Sequence, residues 1–290
     1  GGLMRIALIG ARGQLGGALH EEFAPHHEVI PFDRAALDIT DDAAVQRVLG
    51  QCAPAVVVNA SGYNAVDAAE EHPLDALRVN AFGVRALARA CATLDATLVQ
   101  FSTDFVFDGK TPRPLTEDDP PSPPSAYAIS KLLGEWFAAD APRWYVLRVE
   151  SLFGTAARGE TGKGTVAGIV NGLMAGRPVK VFSDRTVSPT FVGDASHATR
   201  ALLEAHASSG LYHCVNSGHA TWLEFAREAA RLLGVEPRFD IVRFADVTLP
   251  AARPQYCALS NAKLVAAIAQ PIPAWQDALE RFLSSVRVSR

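Results

Sequence analysis

Apolar residues come in short runs across the first half of the chain: "RIALI" (5–9), "EVIPF" (28–32), "AVVVN" (55–59), "TLVQFS" (97–102) and "YVLRV" (145–149). Each is followed by a longer stretch whose apolar positions have helical spacing. Near-continuous apolar strands joined by helices predict a parallel sheet covered on both faces, a doubly wound α/β fold of the Rossmann type. Leu74, Leu77, Val84, Leu87 and Cys91 recur near the helical period and predict one helix over 73–93 with a core-facing stripe.

The texture changes after about residue 155. "GTAARGETGKGT" is a Gly-rich loop, and "PVKVF", "LYHCV", a helix at 221–234 and a closing helix from about 274 are shorter and more irregularly spaced. They predict a smaller second lobe interleaved with returns to the first. The boundaries are 4–155 for the larger domain, with returns near 183–208 and 240–258, and 156–182, 209–239 and 259–290 for the smaller lobe. The proline cluster "TPRPLTEDDPPSPP" reads as a rigid wall beside a site rather than a tether.

Between the first strand and first helix lies "GARGQLG", spaced G-x-x-G-x-x-G from Gly10 to Gly16. Glycine permits a tight turn there and lets backbone N–H groups approach a pyrophosphate at the positive end of the helix dipole. The larger domain is therefore expected to bind a dinucleotide. Asp33, at the end of the second strand, is placed to accept from an adenosine ribose. Arg12 and Arg34 are two guanidinium groups suited to a 2′-phosphate, which tilts the choice from NADH towards NADPH, although each also reads as a solvated surface charge. Asp38 and Ile39 are expected to flank the adenine.

A second chemical signal is "YAISK", which sets Tyr127 and Lys131 one helical turn apart. Hydride transfer to a carbonyl creates an alkoxide that needs a proton, and a positioned phenol can supply it. A cation one turn away should lower the phenol's pKa. "FSTDFVFDG" closes the fourth strand, putting Ser102 and Thr103 at its carboxyl end, where open α/β sheets bind ligands.

Net charge is −4, with no basic stripe interleaved with aromatics, so nucleic acid is not expected as a partner. No apolar run reaches membrane-spanning length and the start carries no signal-peptide pattern, which predicts a cytoplasmic protein. The scattered Cys52, Cys91, Cys214 and Cys257 read as small buried residues, and His26-His27 as a solvated loop pair.

Together with the glycine turn, "VVVNASGYNAVDAAE", "VNAFGVRALARAC", "STDFVFDG", "YAISKLLGE" and "SPTFVGD" make most of the chain from Met4 onwards resemble an extended short-chain dehydrogenase/reductase. Within that superfamily it is most similar to the dTDP-4-dehydrorhamnose reductases. The resemblance implies NADPH, with NADH possible, a 4-keto-6-deoxy nucleotide-sugar substrate, a possible homodimer and no required metal. It makes Thr103, Tyr127 and Lys131 the catalytic set, with Asn80 supporting the lysine through water. Gly10, Arg12, Gly13, Gln14, Leu15 and Gly16 would cradle the cofactor, Asp33, Arg34, Asp38 and Ile39 would face its adenosine, and Ala60, Ser61, Gly62 and Ser102 would line its cleft. Val66, Thr103, Asp104, Phe105, Glu150 and Ser151 would stand near the sugar, with Glu150 also placed to meet the nicotinamide carboxamide. In "RVESLFG", Ser151 takes the place of a family tryptophan that abuts the hexose. Phe105 stands where a sugar-nucleotide dehydratase carries an acid, which argues against elimination. The alternative is an NADP-binding regulatory or scaffold subunit similar to the methionine adenosyltransferase regulatory subunit.

Overall fold

A computed structural model describes residues 2–155 and 160–287. Six parallel strands form the main sheet in the order β10-β5-β4-β3-β1-β2. They are β1 (Arg5–Ile9), β2 (Glu28–Phe32), β3 (Val56–Asn59), β4 (Thr97–Thr103), β5 (Arg143–Val149) and β10 (Gly210–His213). β3 is buried at every position, as its unbroken apolar run requires. β2 is an edge strand, which tolerates Pro31 because its outer side needs no ladder donor.

Helices cover both faces. One core joins β1, β3, β4 and β5 to α1 (Gln14–Phe23), α8 (Val192–Glu204) and α10 (Ala262–Ile268). The other joins the sheet to α2 (Asp42–Cys52), α5 (Val84–Leu94) and α6 (Ala126–Ala138). α2 begins where Asp41 accepts from Ala44 N at 3.0 Å, and α6 where Ser125 accepts from Ala128 N at 3.3 Å.

The single helix expected over 73–93 is three pieces. They are α4 (Pro73–Leu77), a π-helical segment, Arg78–Gly83, and α5; a separate short helix, α3 (Ala68–Glu71), comes before them. A π segment adds a residue to the turn and rotates the following face. Leu74 accordingly is 63% exposed and does not belong to the core stripe, whereas Leu87 and Cys91 are fully buried.

The smaller lobe has its own core, drawn from α7 (Thr165–Met174), β7 (Val179–Phe182), α9 (Trp222–Leu233) and α11 (Trp275–Arg287). α9 starts with a reciprocal Thr221–Glu224 capping box and ends at left-handed Gly234. Three short two-stranded sheets complete the described strands: β6 (Leu152–Phe153) with β9 (Thr190–Phe191), β8 (Thr186–Val187) with β11 (Ala220–Thr221), and β7 with β12 (Phe239–Val242).

These pairings redraw the lobe boundaries. β10, assigned by sequence to the smaller lobe, pairs with β5 and completes the main sheet. α10 packs with it, so 259–290 is split between lobes. β12 belongs with β7 rather than returning to the larger domain. Part of the Gly-rich segment, 156–159, lies outside the described residues. His27 is not solvated: it is 7% exposed, its Nε2 3.3 Å from Glu204 Oε1, and burial lowers its pKa.

Candidate active site

The carboxyl ends of β1, β3, β4 and β5 surround two adjoining clefts of about 350 and 330 Å³ that share Gly13, Ala60, Ser61 and Asn64. The glycine turn forms one wall. Gly10 has φ +79°, and a Cβ there would sit 2.7 Å from Ser61 N. A Cβ on Gly16 would meet Gly10 O at 2.0 Å, so α1 packs on the turn only with glycine at 16, and the turn packs on the loop after β3 only with glycine at 10. α1 carries no acid in its first turn, leaving its N-terminal dipole uncompensated beside Gly13, Gln14 and Leu15. Gln14 Nε2 donates to Gly154 O at 2.5 Å, tying the turn to the segment after β6.

In the second cleft Arg12 Nε pairs with Asp33 Oδ2 at 2.9 Å, and Arg34 Nε lies 3.9 Å from Asp38 Oδ2. The arginine side chains are 86% and 90% exposed, so both remain available to a ligand. Hydrogen bonds from Thr40 hold the Asp38 carboxyl below its ordinary pKa. Ile39 does not reach the cleft. It is 5% exposed and lies under Gly83, while Leu37 and Val79 supply the apolar wall.

Thr103, Asp104, Phe105, Tyr127, Lys131, Glu150, Ser151 and Val66 all line the first cleft. Tyr127 and Lys131 are successive on the buried face of α6, at 8% and 6% exposure. Burial first, then the charge of Asp104, pushes the Tyr127 phenol above its ordinary pKa, with the Thr103 hydroxyl pulling the other way. Burial brings Lys131 down to about 8. This reverses the expected lowering of the phenol's pKa: Lys131 Nζ donates to Phe101 O at 2.7 Å, and desolvation dominates both groups.

Ser102 and Asn80 both have protein partners of their own. Ser102 lines the first cleft, and its hydroxyl donates to Glu135 Oε1 at 2.5 Å; Glu135 also accepts from Arg148 Nε at 2.8 Å and Nη2 at 2.7 Å. The direct hydrogen bonds of Asn80 go to Tyr63 and Ser130: its Oδ1 accepts from Tyr63 N at 2.8 Å, and its Nδ2 donates to Tyr63 O at 3.0 Å and Ser130 Oγ at 2.9 Å. It fixes the loop after β3. Ser61 is fixed likewise, its N and Oγ donating to Asn59 Oδ1 at 3.1 and 2.5 Å.

Residues 4–288, which include every wall of both clefts, match the family described as RmlD substrate binding domain. The chain belongs to this family. It is 36% identical to a dTDP-4-dehydrorhamnose reductase of Streptomyces griseus over 287 residues, covering 95% of this chain and 91% of the relative. A solved dTDP-4-dehydrorhamnose reductase from Clostridium acetobutylicum superposes with a TM-score of 0.91 at 32% identity, covering 98% and 100% of the two chains. One from Bacillus anthracis, solved in complex with NADP, gives 0.91 at 30% identity over 98% and 99%.

Within this RmlD-family framework the segment after β5 has local features of its own. Ser151 has φ +45°, a left-handed conformation uncommon for a residue with a Cβ. Its carbonyl accepts from Thr190 N at 3.3 Å, next to the β6–β9 pair. Glu150 is 3% exposed; its Oε1 accepts from Ser188 N, and its Oε2 has no hydrogen-bond partner among the described residues. Burial raises Asp104 to about 6 and Glu150 well above the ordinary carboxylate range. Sequence reasoning missed Asn64, Leu37, Val79 and Glu135. Glu135 carried a signal, since it follows Lys131 by one helical turn and continues the Tyr127–Lys131 stripe inward.

Proposed function

We propose that this RmlD-family protein is an NADPH-dependent reductase of a 4-keto-6-deoxy nucleotide sugar. The observation that carries the proposal is the convergence of Thr103, Tyr127 and Lys131 on one cleft that opens directly into the cleft beneath the glycine turn. The reductase name of the S. griseus relative and the NADP complex of the B. anthracis structure support it. All four cysteines are unpaired, as a reducing compartment such as the cytoplasm keeps them, and no described helix is long and apolar enough to cross a membrane.

The residues present fit a dinucleotide. Gly10 and Gly16 let the turn, α1 and the loop after β3 pack closely, with the α1 N-terminus at Gly13 to Leu15 on the cleft wall, where it favours a pyrophosphate. Asp33 would meet the ribose, and Arg12 and Arg34 a 2′-phosphate. When bound, NADPH supplies the hydride for the sugar's carbonyl carbon.

The protein's part is orientation and proton delivery. Thr103 would donate to the sugar carbonyl and hold it towards Tyr127. The raised pKa of Tyr127 keeps its proton in place at neutral pH, so the phenol enters the reaction as an acid and gives the proton to the developing oxygen. Lys131, protonated below about 8, would stabilise the resulting phenolate and hold a ribose hydroxyl. Burial of all three side chains strengthens these interactions by excluding water.

The test is NADPH oxidation by purified protein offered a panel of 4-keto-6-deoxy nucleotide sugars, with products identified by NMR. At least one should be reduced, faster with NADPH than with NADH. Arg12→Ala combined with Arg34→Ala should raise KM for NADPH about tenfold, roughly 1.4 kcal/mol, while sparing NADH. Failure to oxidise NADPH with any of these sugars would overturn the assignment.

A further inference from the structure

Asp104 and Glu150 are two buried carboxyls on the wall of the reductive cleft, 4% and 3% exposed. One ligand-type atom from each, together with Cys257 Sγ, falls within 4.8 Å of the others. Among the described residues, Arg185 is the cation that bears on both acids, and it forms no ion pair with either: its Nε donates to Pro254 O at 3.2 Å, and its Nη2 lies 4.0 Å from Sγ of the same Cys257. Tyr127 and Tyr256 are the phenols whose pKa values these acids raise, and Lys131 lines the same cleft. Two buried carboxylates without a direct ion-pair partner cannot both ionise cheaply. Glu150 lines the first cleft beside Asp104, and its buried Oε2 has no hydrogen-bond partner among the described residues.

Resting on the reductase reading above, we propose that Asp104 and Glu150 hold one proton between them and jointly clasp a hydroxyl of the sugar. The ionised acid accepts the sugar's O–H, and the protonated acid donates to its oxygen. A hydroxyl has one donor and two acceptor sites, so a singly protonated pair satisfies it from both sides. Burial raises Asp104 to about 6 and Glu150 well above the ordinary carboxylate range, and the pair titrates together; the clasp gives Asp104 the part of the ionised acceptor and Glu150 that of the proton-holding donor. The pair therefore selects a sugar that carries a hydroxyl at the clasped position over its deoxy counterpart, and its grip depends on pH in both directions. Below about 6 the acceptor is lost; at alkaline pH the donor is lost.

The shared proton is tested first, on the free full-length protein, by infrared difference spectroscopy between the wild type and the Asp104→Asn/Glu150→Gln double variant at neutral pH. A protonated-carboxyl band should be present in the wild type and absent from the variant. Its absence from the wild type overturns the shared proton, whether or not any sugar is reduced. The clasp is tested by KM for the reduced sugar against pH, read beside kcat and the NADPH Kd. Wild-type KM should rise towards both pH extremes, by about tenfold per pH unit once the last proton leaves. Glu150→Gln should lose the alkaline limb of KM and Asp104→Asn the acid limb, while the titration of Lys131 stays visible in the NADPH Kd. Limbs that persist in both single variants overturn the clasp. If no ketosugar nucleotide is reduced, the reductase reading and the clasp fall together, and the infrared band still decides the proton.

Discussion

The chemistry of Tyr127 depends on what its neighbours do with their charge. Lys131 spends its ammonium on the Phe101 carbonyl, and Asp104 lies on the opposite side of the phenol's balance, so the free site holds the phenol protonated. Sequence revealed the partners but not this balance, because desolvation is a property of the packed cleft. Ser151 is the residue whose side chain is most telling for the sugar. It already carries a Cβ in a left-handed conformation, so Ser151→Trp adds bulk without a new backbone requirement. An indole there would cover apolar sugar surface that serine leaves open. The variant should shift kcat/KM towards dTDP-4-dehydrorhamnose relative to other ketosugar nucleotides by about tenfold, roughly 1.4 kcal/mol. A wild type that already strongly prefers that sugar, with a tryptophan variant that is inactive, would show that another residue fills the space.

Among elements, α6 and the π segment before α5 set the site together. Gly134 on α6 faces the Asn80 carbonyl, and a Cβ at 134 would lie 2.1 Å from that oxygen. The glycine lets the helices approach until Asn80 reaches both Tyr63 and Ser130. Gly134→Ala should therefore cost about 2–3 kcal/mol in denaturant unfolding. It should also weaken NADPH binding through the displaced Tyr63 loop; an unchanged unfolding midpoint would refute the packing argument. The five strands of the first half and α6 were legible because each is a local pattern of apolar positions or a cap. The π segment was not: its extra residue answers to a contact 54 positions away along the chain, between Asn80 and Gly134. Leu74 was misplaced for the same reason, since a stripe extrapolated across a change of pitch lands on the wrong face.

At the scale of the molecule, the sheet gathers the catalytic strand, the glycine turn and the sugar-side segment at one edge, while segments after β5, on both sides of β10 in the chain, build the second lobe. β10 was hard to assign because it is short and ends in a histidine. His213 is buried beside Arg148, which with Glu135 forms an ion pair beneath the catalytic strand, and burial and that arginine push His213 down to about 3, keeping it neutral. A polar residue at the end of an apolar run reads as a surface position until its partner on β5 is known. The glycine turn, Thr103, Tyr127 and Lys131 were legible as separate motifs, whereas the pairing of Asp104 with Glu150 required the fold to bring β4 and β5 together. The central claim is that this assembled edge delivers a proton from Tyr127 during reduction of a ketosugar nucleotide. The direct measurement is kcat for NADPH oxidation by wild type and Tyr127→Phe, beside the NADPH Kd of each. The account predicts a Kd within a few-fold of wild type and a kcat lower by about two to four orders of magnitude; near-normal turnover in Tyr127→Phe would contradict it.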